Sequence, residues 1–163
     1  MDSIKNYKLI ILLLIPFFLG WLFNSFSPLL TIYVKGFWLI SIGFIIYWLW
    51  VGKQFGQLKN NKLTNFLIGN ILWAISLGLF IWQFIFLDDL NRNLFIAGIS
   101  QHYSLFTIAP ASRIIMLFQK DIHSTQIIVT SYIFMIIIFT IGFIYGATRH
   151  SKTYSNDNFI NKS

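Results

Sequence analysis

The sequence predicts an all-α integral membrane protein: four transmembrane helices in an antiparallel bundle, both termini cytoplasmic. Three observations predict it. The chain is 56% hydrophobic and only 10% charged, where soluble domains carry about 25% charged residues. Its apolar residues gather in runs near the roughly 20 residues that a helix needs to cross a bilayer. Its basic residues gather in alternate polar segments, the pattern set by the positive-inside rule. A mean hydropathy of +0.70 agrees.

The first span covers 9–27 and follows the charged start Met1-Asp2-Ser3-Ile4-Lys5-Asn6-Tyr7-Lys8. No small-x-small cleavage site follows it, so it reads as a retained span and not as a signal peptide. Pro16 is tolerable there because a neighbouring helix can satisfy the carbonyl it frees. The second span, 36–52, is short; Trp38 lies near one end and Tyr47, Trp48 and Trp50 near the other, as interfacial aromatic belts require. A basic loop without acids, 53–65, separates it from the third span, and Thr64 or Asn65 is positioned to cap the next helix. The third span, 66–87, contains Asn70 and Gln83 and stops at Asp88-Asp89. The fourth, 127–147, ends at Arg149-His150, and the polar tail 151–163 is expected to be disordered. Residues 1–150 thus form one domain.

Segment 88–126 remains. A fifth span through 94–118 would carry Arg113, at a cost of about 2.5–3.5 kcal/mol near a helix centre. It would also carry Gln101, His102 and the helix breaker Pro110, and would move Arg149, Lys152 and Lys162 outside. With four spans, Lys5, Lys8, Lys53, Lys59, Lys62, Arg149, Lys152 and Lys162 lie inside, eight of the twelve basic residues. The segment is therefore an external loop. Ala111, Ile114, Ile115 and Phe118 share one helical face, with Pro110 suited to its first turn, which favours a helix lying in the interface. The alternative is a re-entrant segment dipping inward over 95–108.

Gln101, His102, Tyr103 and Arg113 make a candidate external polar site near Asp88 and Asp89. Arg113 would supply the planar fork that recognises a phosphate or carboxylate. The plain alternative is a solvated interfacial loop. Ser41, Asn70, Gln83, Thr130, Ser131 and Thr140 suit hydrogen bonds between helices. The small pairs Ala74-xxx-Gly78 and Gly142-xxx-Gly146 suit close helix packing, within the bundle or with a second copy.

Several function classes drop out. There is no Cys, which removes thiol redox chemistry and thiolate metal sites. There is no Glu, and no span holds a central charge of the kind that coupled transporters use. The net charge of +7 is explained by topology, not by nucleic acid. His102 and His123 lack metal-ligand spacing, and no cofactor motif is present. The expected protein is non-enzymatic: an accessory, immunity-type or interaction protein of a bacterial cytoplasmic membrane. Its expected partners are the bilayer and another membrane protein, a peptide or a lipid headgroup. A transporter or channel component is the alternative. An intramembrane hydrolase using Asp88, Asp89 or Asp121 comes third.

Overall fold

A computed structural model gives the fold; it describes the backbone at 2–30, 34–119, 121 and 123–160, and side chains at 9–25, 38–119, 121 and 123–149. Among these residues every regular element is helical. They are α1 (Asp2–Leu30), α2 (Val34–Gly56), α3 (Lys62–Gly69), α4 (Ile71–Ile81), α5 (Leu94–His102), α6 (Ile108–Met116) and α7 (Ser124–Ile160). A turn of π-helix, Trp82–Phe86, extends α4, and short 3-10 turns occupy Asp89–Asn91 and Leu105–Thr107. Helices α2 and α7 are each long and apolar enough to cross a membrane, and the bent pair α3–α4 makes a third if taken as one span. The described apolar part of α1 is Leu9–Ser25.

Helices α2 and α7 are joined backbone to backbone. A Cβ placed at Gly52 or Gly56 of α2 would collide with the carbonyls of Phe139 and Phe143 in α7. A Cβ at Gly142 or Gly146 of α7 would collide with the carbonyls of Leu49 and Lys53 in α2. Each helix thus contributes two glycines four residues apart and receives the other's main chain. Van der Waals packing is the main attraction between helices in lipid, and small residues permit it. The second helix runs on to Gly56, past the expected boundary at 52, because Gly52-Lys53-Gln54-Phe55-Gly56 continues this packed face. At the other end of the chain, α7 continues to Ile160 through most of the expected tail; no Gly or Pro interrupts 147–160.

Aromatic rings fill the bundle around this seam. Trp48 is fully buried, stacks on Phe44 and donates its indole N–H to the Met135 carbonyl at 3.1 Å. Trp73 donates likewise to the Tyr132 carbonyl at 3.0 Å. Phe66 meets the rings of Phe139 and Phe143 edge-on at 5.8 and 5.3 Å.

Three polar devices shape the helices. Pro16 has no N–H for the Leu12 carbonyl four residues earlier; the Tyr47 hydroxyl of α2 donates to that carbonyl at 2.6 Å. Asn70 ends α3 and starts α4 with a bend of 48°. Its side-chain amide donates to the Phe66 carbonyl at 2.9 Å, replacing the helical pattern with a local one. Asn61, not Thr64 or Asn65, caps α3, accepting from the Leu63 N–H at 2.9 Å. Lys62 donates to the Gly56 and Leu58 carbonyls and so closes the end of α2.

Two outcomes are expected. Gly52→Ile and Gly142→Ile each force the helices apart. Overpacking of this kind costs about 1–3 kcal/mol, and the melting point in detergent falls by several degrees. Gly78→Ile, where a Cβ meets nothing within 4 Å, leaves the melting point near the parent value. Tyr47→Phe destabilises by about 1 kcal/mol by stranding the Leu12 carbonyl. In a Pro16→Ala background the same change costs little, because the restored N–H takes that carbonyl; equal losses in both backgrounds would refute the pairing.

Candidate functional site

The segment 94–116 folds back on itself inside the bundle. Gln83 accepts from the Asn93 N–H at 2.8 Å through its side chain, and its main-chain carbonyl accepts from Arg92 Nε at 2.9 Å. Arg92 also pairs with Asp89 at 2.7 Å and lies over the Phe84 ring. This knot fixes the start of α5 beside the end of α4, and the Asn93 side chain caps α5 by accepting from Phe95 and Ile96. Seven residues further in, Ser100 meets Ser76 of α4. Thr107 then meets Ser131, seven residues into α7. The chain therefore runs inward along α4, turns over 103–107, and returns along α7.

The turn is buried: Ser100, Ser104 and Thr107 are each 0% exposed, and Phe106 is 3% exposed. The segment expected as an interfacial helix or a re-entrant dip packs its turn, 103–107, against the other helices. The carbonyls of Ser100 and Ser104 and the Ser and Thr hydroxyls of the turn are hydrogen-bonded, which offsets much of the cost of burying them. The helix breaks after His102, and the Ser104 N–H turns to the Gln101 carbonyl at 3.2 Å. The released Ser100 carbonyl accepts from Ser76 Oγ at 2.8 Å and from the Tyr132 hydroxyl. The Ser104 carbonyl accepts from Thr107 Oγ1 and Ser131 Oγ, both at 2.8 Å. Of the four residues expected on one apolar face, Ala111 and Ile115 point inward, while Ile114 is 36% and Phe118 is 81% exposed.

The expected polar site is divided. His102 faces α1: its Nε2 lies 3.2 Å from the Asn24 amide nitrogen, its ring edges Phe17, and its carbonyl packs on Gly20. Tyr103 faces α2, edge-on to Trp48, and is 1% exposed. Gln101 is half-buried, and its carbonyl accepts from Ser104 Oγ at 3.4 Å. Arg113 stands exposed on the outward limb, away from the turn. Asp88 and Asp121 are exposed. Among the described residues no three His, Asp or Glu side chains come together. Of the packing residues, Gly142 and Gly146 lie in the α2 contact, whereas Ala74 is exposed and Gly78 borders open space.

The two sides of the hairpin differ. Toward α4 and α7 its hydroxyls and carbonyls are paired as described. Among the described residues five buried polar side-chain atoms have no partner: His102 Nδ1 and Tyr103 OH in the hairpin, Ser41 Oγ in α2, and Asn70 Oδ1 and Gln83 Nε2 at the bend and far end of the α3–α4 pair. The Asn24 amide and His102 Nε2 lie within hydrogen-bond distance, which leaves Nδ1 as the ring nitrogen without a partner. Asn24, Ser100, Ser104 and Thr107 were not singled out in the sequence. Ala97, Ser100, Ser104, Thr107 and Ala111 do recur at helical spacing as a stripe of small residues, the one signal that could have revealed the buried face.

These features define an all-helical protein with helices built for a membrane and an internal helical hairpin. No protein-family model, curated protein or solved structure matches the chain.

Cysteine substitution tests the hairpin, since the chain contains no Cys. A membrane-impermeant maleimide labels Cys at 113 and 119 readily and at 100, 103 and 107 only slowly. Rapid labelling at 103 and 107 would put the turn on the surface. Thr107→Val removes a buried interhelical bond and lowers stability by about 0.6–1.7 kcal/mol.

Proposed function

We propose that this chain is a non-enzymatic, four-span protein of a bacterial cytoplasmic membrane, with both termini inside. It acts by contact with another membrane component, a peptide or a lipid headgroup, at the seam between α1 and the hairpin. The observation that carries this reading is the pair of unpartnered polar atoms there, on His102 and Tyr103. A buried polar group without a bond costs about 1–3 kcal/mol. Two such groups in the hairpin, on His102 and Tyr103, mark the side where a ligand with hydrogen-bonding groups supplies what the chain lacks. Immunity-type and accessory proteins of membrane systems act by contacts of this kind.

The four-span topology draws support from three features. The basic loop 53–65 and Arg149 flank one end of the helices, while Asp88, Asp89 and Asp121 lie at the other. Stripes such as Ile133, Ile137, Ile141 and Ile144 leave the outside of α7 apolar. The bent pair α3–α4 passes as a single span. The break at Asn70 and the π-helical turn favour a second reading, a transporter or channel component, because discontinuous helices line many transport sites.

Reporter fusions after Gly56 and Ser163 are expected to score cytoplasmic, and a fusion after Arg92 external; any reversal overturns the topology. For the seam, a photo-crosslinking side chain at position 24 is expected to give a discrete adduct in native membranes, where one at lipid-facing 133 gives only lipid adducts. Tyr103→Phe abolishes the adduct at 24 without lowering the melting point. Identical adducts at 24 and 133 would refute the seam, and a large loss of stability from Tyr103→Phe would give the hydroxyl an internal role instead.

A further inference from the structure

At the basic end of the bundle a cleft of about 170 Å³ opens between the start of α1, the end of α2 and α3. Leu9, Phe55, Leu58 and Ile68 form its walls, with Asn60 and Asn65 toward the loop. Leu9 and Phe55 belong to the buried core, so the cleft reaches from the interior to the surface, where Ile68 is 42% exposed. Asn60 is exposed at the mouth, and the deeper Asn65 is a poor host for water. Asn65 is 1% exposed and spends its amide N–H groups on the Leu58 and Asn60 carbonyls. A space with so few free polar partners suits hydrocarbon better than water.

The surroundings select the hydrocarbon. The end of α2, the loop after it and the start of α3 carry Lys53, Lys59 and Lys62, and no acid lies between 3 and 87. Lys62 is held by main-chain carbonyls and Lys53 lies over the Tyr145 ring at 5.7 Å. Lys59 is exposed. A guest with an apolar chain and an anionic head satisfies both parts at once. We propose that the cleft holds one acyl chain of an anionic phospholipid, with the phosphate toward Lys59. This inference rests on the membrane setting of the chain and is independent of the partner proposed for the hairpin seam.

The test uses the full chain in nanodiscs of mixed phosphatidylglycerol and phosphatidylcholine, with a photoactivatable group on the acyl chain of one lipid at a time. With labelled phosphatidylglycerol, adducts at 9, 58 and 68 are expected well above those at lipid-facing Ile75 and Ile137. Excess unlabelled phosphatidylglycerol removes the cleft adducts and spares those at 75. Ile68→Trp fills the cleft and brings adducts at 9 and 58 down to the level at 75. Lys59→Gln weakens the preference over phosphatidylcholine by about fivefold, the worth of one lysine near an anionic surface. Equal labelling of the cleft and of Ile75 and Ile137 overturns the proposal, as does equal labelling by the two lipids in the parent protein. Both readouts stand without the variants, and neither depends on what binds at Tyr103.

Discussion

The glycine-lined contact between α2 and α7 is the constraint on which the rest of this bundle depends. Lipid tails are as apolar as leucine, so burial alone gives helices in a bilayer little reason to meet. Here Gly52 and Gly56 receive the carbonyls of α7, and Gly142 and Gly146 receive those of α2. The two helices touch at this end and make room at the other. There the hairpin turn sits between them: Phe106 stacks on Phe44 of α2 at 5.3 Å, while Thr107 bonds Ser131 of α7. Contact at one end and a wedge at the other define the space that the hairpin occupies.

A second regularity follows from the solvent. No water in a bilayer core can rescue an unpaired carbonyl, and this chain breaks its helices repeatedly. Each break comes with a side chain that takes what it releases. Tyr47 takes the Leu12 carbonyl opposite Pro16. Ser76 and Tyr132 take the Ser100 carbonyl at the hairpin turn. Arg92 takes the Gln83 carbonyl where the π-helical turn loosens α4. The donors come from other helices or from the next loop, so the irregularities that weaken single helices tie different helices together. The unpartnered side-chain atoms of His102 and Tyr103 in the hairpin depart from this rule.

Part of this was legible in the sequence and part was not. Apolar length gave the helices of α2, α4 and α7, because hydropathy is a property of a window and needs no knowledge of neighbours. Gly142 and Gly146 were visible because both sit inside one apolar run. Their partners Gly52 and Gly56 were not, because Lys53 and Gln54 between them read as the start of a loop. The hairpin was harder. Arg113, Gln101 and His102 favour a surface segment when each polar group is weighed alone. What permits burial of the turn is a match between residues far apart in sequence, Ser104 and Thr107 with Ser131, and Ser100 with Ser76 and Tyr132. Such pairings have no local signature. The division of the expected polar site has the same origin: Tyr103 and Arg113 are separated by the fold, not by spacing.

The hairpin also sets an order of biogenesis. Its outward limb and its turn are completed by Ser131 and Tyr132, which the ribosome makes after residues 94–116. Helices α1, α2 and α4 are already present when the hairpin emerges, and α7 is not. Until that last helix enters the bilayer, Ser104 and Thr107 have no Ser131 to meet, and α2 has no glycine-bearing mate. The final span is therefore the keystone of assembly.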